Sequence, residues 1–90
     1  MAAAPQRSLR RQIGDRLRKM RTATGISSQE KLGERAGLHR TYIGRLERGD
    51  SGVTVETLAT LLAAMGVTLA AFFAPFDSPL RPRTPRKRDG

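Results

Sequence analysis

The stretch from Gln29 to Arg48, QEKLGERAGLHRTYIGRLER, constrains the fold more than any other part of the chain. Its apolar positions recur at helical spacing on either side of Gly37-Leu38, so it reads as two short helices joined by a tight turn. Leu32, Gly33 and Ala36 fall on the inner side of the first helix, Ile43 and Leu46 on the inner side of the second. Arg40, Thr41, Tyr42, Arg45 and Arg48 fall on the outward face of the second. A face so apolar needs a partner surface, and a face so rich in donors needs water or a ligand.

The flanking sequence supplies the partner surface. Ser8 predicts the N-cap of a first helix running to about Thr22 or Thr24, with Leu9, Ile13, Leu17 and Met20 as one apolar stripe and Gly25 as its left-handed end. The second helix has two candidate caps. Ser27 would place Glu30 at N3 and complete a capping box, whereas Ser28 would make Gln29 the first helical residue and put Lys31 at N3. Gly37 ends that helix. In the third, Leu38 and Ile43 stand in hydrophobic-staple positions across His39, a poor N-cap residue, and Gly49 closes it. A fourth helix follows with Thr54 as cap and Val53 and Leu58 as staple; Leu58, Leu61, Leu62 and Met65 are its apolar face and Gly66 its end. The pattern repeats in a fifth helix with Thr68 as cap, Val67 and Phe72 as staple, and Pro75 as stop. No period-two apolar alternation occurs. The expected fold is all-α: a compact five-helix domain over residues 8–76, between a flexible tail at 1–7 and a basic Pro/Arg-rich tail at 77–90 too polar to order by burial.

Composition then narrows the function. Ninety residues suffice for one small domain with a modest core. With no cysteine there is neither a disulfide framework nor a thiolate metal site. The single histidine, His39, stands without a second His or a carboxylate cluster, so no metal, cofactor or catalytic centre is expected. The start lacks the apolar core of a signal peptide, and the apolar stretch around Leu58 to Phe76 is interrupted by Thr60, Gly66, Thr68 and Pro75; a cytoplasmic protein without a membrane span is expected. The net charge of +9 is segregated. Basic residues fill Arg7 to Arg48 and Arg81 to Arg88, and none lies between Gly49 and Leu80. That is the electrostatic footprint of a protein that meets a polyanion with one part of its surface.

A packed inner face behind a hydrogen-bonding outer face is the layout of a helix-turn-helix, whose second helix enters the major groove with its N-terminal residues toward the base edges. Arg40 and Thr41 occupy that first turn, and Arg45 follows one turn later on the same side. An arginine fork suits guanine and a threonine methyl suits thymine, so these three are the candidate base contacts. Gln29 at the head of the preceding helix, His39, Tyr42, Arg48 and Thr54 with its neighbouring amides are candidate phosphate contacts. Of Arg10, Arg11, Arg16, Arg18 and Lys19, most are expected to be solvated, with one or two on phosphate.

QEKLGERAGLHRTYIGRLERG resembles the helix-turn-helix of the phage-repressor and Cro (XRE) family, and the VTVETL and GVTLAAFF segments extend the likeness from about Ser8 to Phe73. The combination of RTYI with ERG is also similar to controller proteins of restriction–modification systems. The resemblance implies a lambda-repressor-like domain, base reading by Arg40, Thr41 and Arg45, a phosphate role for Gln29, and a structural ion pair between Arg21 and Glu47. Two positions depart from the family pattern: Gly33 stands where Ala is usual, and Ser27-Ser28 lengthens the loop by one residue.

Phe72, Phe73 and Phe76 are all the phenylalanines of the chain and lie together in the segment without positive charge. They either close the core or, in part, form a dimer interface that sets two reading helices one DNA turn apart. The expected partners are therefore double-stranded DNA and a second copy of the chain, at a palindromic operator. An antitoxin using the Phe cluster to hold a toxin protein is the alternative, and a packaging protein relying on its tails is a third possibility.

Overall fold

The computed structural model describes the backbone of residues 5–77 and the side chains from Leu9 onward; the expectations for residues 1–4 and 78–90 lie outside the described residues. The described chain forms five helices: α1 (Pro5–Ala23), α2 (Gln29–Ala36), α3 (Arg40–Glu47), α4 (Val55–Met65) and α5 (Leu69–Phe73). Among the described residues there is no strand.

The helix starts follow local chemistry. Ser28 caps α2 by accepting from the Lys31 N–H at 3.0 Å, which decides between the two serines. Thr54 and Thr68 cap α4 and α5 in the same way, each accepting at 3.0 Å from the N–H three residues on. At α1 the expectation fails. That helix begins at Pro5, not after Ser8, because proline is preorganised for the first helical position and its missing N–H is an orphan there anyway.

The core is one cluster drawn from every helix and from the loop after α1. Leu17, Ile26, Leu32, Ile43, Leu61, Leu62 and Phe72 are at most 2 % exposed, and Ile13, Met20, Leu38, Val53 and Val67 close over them. Ile26, which has no helical periodicity to announce it, is drawn inward by its own backbone: its N–H donates to Arg21 O at 3.0 Å and its carbonyl accepts from Arg21 Nη1 at 3.1 Å. Helix α3 is packed between α1 and α2, α4 rests on α2, and α5 rests on α1 and α4. The α1–α3 crossing is close at Gly14, where a Cβ would overlap the Leu46 carbonyl oxygen and lie 2.7 Å from that of Glu47.

One further expectation needs correction. Phe72 is 0 % exposed and belongs to the core, so it has no surface to offer a second copy. Phe73 keeps 38 % of its surface exposed and Phe76 is partly buried; they meet edge to face at 5.6 Å between ring centroids. At Gly33, where the family pattern has Ala, a Cβ would overlap the Leu38 carbonyl oxygen of the turn. Its absence lets the turn close, with Leu38 N–H donating to Gly33 O at 2.9 Å.

Candidate nucleic-acid interface

The turn between α2 and α3 is set by Gly37 at φ 73°, and His39 then starts α3. The sequence suggests a weak cap there, but the His39 Nδ1 accepts the Thr41 N–H at 3.0 Å and leaves Nε2 on the outside. The imidazole thereby does what a cap carboxylate or hydroxyl does elsewhere.

From this start α3 divides cleanly. Ile43, Gly44, Leu46 and Glu47 are buried, whereas Arg40, Thr41, Arg45 and Arg48 are exposed and Tyr42 is half-buried. Arg40, Thr41 and Arg45 thus share the outer side of one helix. Arg40 Nη1 lies 3.6 Å from Glu30 Oε1 with both side chains more than 60 % exposed, a pair that solvent screens and a stronger acceptor displaces. Arg48 Nε donates to Asp50 Oδ2 at 3.0 Å, also in solvent.

The inner end of α3 is tied down by a polar network. Arg21 grips Glu47 through Nε–Oε2 at 2.7 Å and Nη2–Oε1 at 3.1 Å, and both side chains are at least 93 % buried. Glu47 Oε1 also accepts from Gln29 Nε2 at 3.0 Å. Gly44 has no side chain in the way, and Gln29 Oε1 and Arg48 Nη1 fill that space. The Gln29 amide therefore spends one donor inward and keeps its second. The extra loop residue is absorbed before Ser28, so Gln29 remains the first residue of α2. At α4 the Thr54 hydroxyl is engaged with the Thr57 N–H and the Thr57 hydroxyl, so its donors toward an anion are the backbone amides that open the helix.

Arg16 is the functional-looking residue whose position the sequence does not reveal. Half-buried, it reaches to the end of α5, donating from Nε to Phe72 O and from Nη2 to Ala71 O, both at 2.8 Å. Pro75, four residues after Ala71, is the sequence signal that a carbonyl there lacks a partner.

Among the described residues no cluster of His, Cys, Asp or Glu suits a metal, and no helix is long and apolar enough to cross a membrane. What the site offers is a rigidly seated helix with two guanidinium groups and a hydroxyl facing outward, flanked by amide and imidazole donors. Donors of these kinds are the ones that base edges and phosphates accept from.

The helix-turn-helix family model HTH_3 matches residues 17–72, and the chain belongs to this family of DNA-binding transcription regulators. Among curated relatives it is 37 % identical over 60 residues to Control protein C.BamHI of Bacillus amyloliquefaciens, covering 67 % of this chain and 74 % of that protein. It is 40 % identical over 57 residues to Control protein C.SmaI of Serratia marcescens, covering 63 % and 67 %. Among solved structures, the restriction-modification controller protein C.AhdI from Aeromonas hydrophila superposes with a TM-score of 0.70 at 36 % identity, covering 74 % of this chain and 96 % of that one. The antitoxin alternative gains no support from these relatives.

Proposed function

We propose that the protein binds an operator in duplex DNA as a symmetric homodimer and regulates transcription from it, as a control protein of the restriction–modification type. Arg40, Thr41 and Arg45 read base edges in the major groove. Gln29, His39 Nε2, Tyr42, Arg48 and the amides after Thr54 hold phosphates. Phe73, Phe76 and the neighbouring Leu69 meet the second copy. The observation that carries the reading is the division of α3: three hydrogen-bonding side chains outward, and a buried Glu47 anchored to α1 and α2 inward. Such anchoring fixes the register of a reading helix before it meets DNA, which limits the ordering cost of binding.

The test is selection of bound duplexes from a random pool, with DNA upstream of restriction–modification genes as the first natural operator to try. A palindrome with half-sites one helical turn apart is the expected result. Arg40→Ala should relax one base position per half-site, by about 1–3 kcal/mol of discrimination. Gln29→Ala should instead weaken all duplexes nearly alike. Absence of any retarded duplex at micromolar protein and low salt, or retardation without sequence preference, would reject the proposal.

A further inference from the structure

Helix α5 has five residues, too few to persist without outside support. Its end is also short of donors. The Ala71 carbonyl would look for an N–H at position 75, which is Pro75 and has none. The Phe72 carbonyl would look to Phe76, whose N–H donates to Phe73 O at 2.8 Å instead. These two orphan carbonyls are the ones that Arg16 takes, through two hydrogen bonds of 2.8 Å from a helix on another part of the chain. The guanidinium also sits 6.0 Å from the centroid of the Phe72 ring and places a positive charge at the negative end of α5. Among the described residues no carboxylate lies within ion-pair distance of it. The turn it holds carries Phe73 and Phe76, packed against the anchored Phe72 at 4.9 and 6.3 Å between centroids.

We propose that Arg16 is a positioning residue for self-association: its fork on the Ala71 and Phe72 carbonyls holds the turn on which Phe73, Phe76 and Leu69 meet a second copy of the chain. The inference rests on the homodimer reading above. It also gives α1 two duties, since Arg21, five residues on, anchors the reading helix through Glu47. One helix then ties the reading surface to the dimer surface, and the spacing of two recognition helices is fixed through it.

The experiment compares full-length wild type, Arg16→Met and Arg16→Lys by sedimentation equilibrium, circular dichroism and operator binding. Arg16→Met keeps the apolar stem and removes the fork. It should retain the wild-type helical signal while raising the dimer dissociation constant about tenfold, equivalent to ~1.4 kcal/mol. Arg16→Lys, with a single-point donor, should fall between the two. Joining two Arg16→Met chains by a flexible linker should restore operator affinity, because the linker supplies the second copy at high effective concentration. A dimer constant within about twofold of wild type overturns the inference, taking that ratio as the scatter below a resolvable energy. So does an affinity loss that the linked dimer retains, which would make Arg16 a DNA contact. Unfolding of both variants would make it a residue of the fold alone and would likewise overturn it. A wild-type protein that binds its operator as a monomer would remove the dimer reading itself.

Discussion

Glu47 holds two oxygens against three donor hydrogens in a site nearly closed to water, with Arg21 on both oxygens and Gln29 on one. Desolvating an ion pair is costly, and the net balance depends on close pairing backed by further hydrogen bonds of the kind Gln29 supplies. Removing one partner strands the other. Glu47→Ala should therefore cost about 3–5 kcal/mol, the range for a broken buried pair, and lower the melting temperature by more than about 10 °C in a domain this small. Gln29→Ala removes only the third donor and should cost about 1 kcal/mol or less, on the scale of one net hydrogen bond. Urea denaturation separates the two. Similar midpoints for both variants would show that the ion pair, rather than the reading surface it supports, is dispensable.

At the scale of the element, α3 spans eight residues and has no stability of its own. It persists because Ile43 and Leu46 are buried between α1 and α2 and because His39 satisfies one of its orphan amides. His39→Ala should cost about 1 kcal/mol, the ordinary worth of an N-cap, and should speed hydrogen exchange at the Thr41 amide first. His39→Asn should recover most of it, since its short carbonyl reaches the same amide without adding a negative charge near phosphate. Unchanged exchange at Thr41 in the alanine variant would show that the cap contributes nothing. The five helices were legible in the sequence because apolar spacing marks each of them and caps agree with it at α4 and α5, where Val-Thr pairs announce both starts. The start of α1 was not: Ser8 looks like a cap, yet Pro5, preorganised for the first helical position, opens the helix. The choice of Ser28 was not legible either. It is made by the docking of Ile26 and by the reach of Gln29 to Glu47, which are tertiary facts. On the site, the outward face of α3 follows from periodicity alone. The route of Arg16 does not, because a long basic side chain reads the same whether it faces solvent or spans to a helix 55 residues further on.

For the whole molecule, the segregation of charge and the exposed apolar side chains have to be taken together. No Lys or Arg stands between Gly49 and Leu80, and within that segment Leu69 is 40 % and Phe73 38 % exposed. A second copy of a protein carrying +9 is repelled by the first unless the surfaces that meet are free of that charge. Apart from the Arg16 guanidinium, which is held on the Ala71 and Phe72 carbonyls, the α5 surface meets that condition, and an isologous contact there would repeat the same patch on both partners. Leu69→Glu tests it with little disturbance to folding, because Leu69 is the first residue of α5, where an acidic side chain favours the helix dipole. It should weaken the dimer at least about tenfold, since a carboxylate would have to enter an apolar contact. Binding to an isolated half-site should stay at its wild-type strength, while the full operator loses the gain from two linked halves. Salt separates the two contributions: operator affinity should fall steeply with ionic strength through the phosphate contacts, whereas dimerisation through apolar surface should hold or tighten as charges are screened. A Leu69→Glu protein that dimerises like wild type would move the interface elsewhere, to a surface that still has to escape the repulsion of the basic helices.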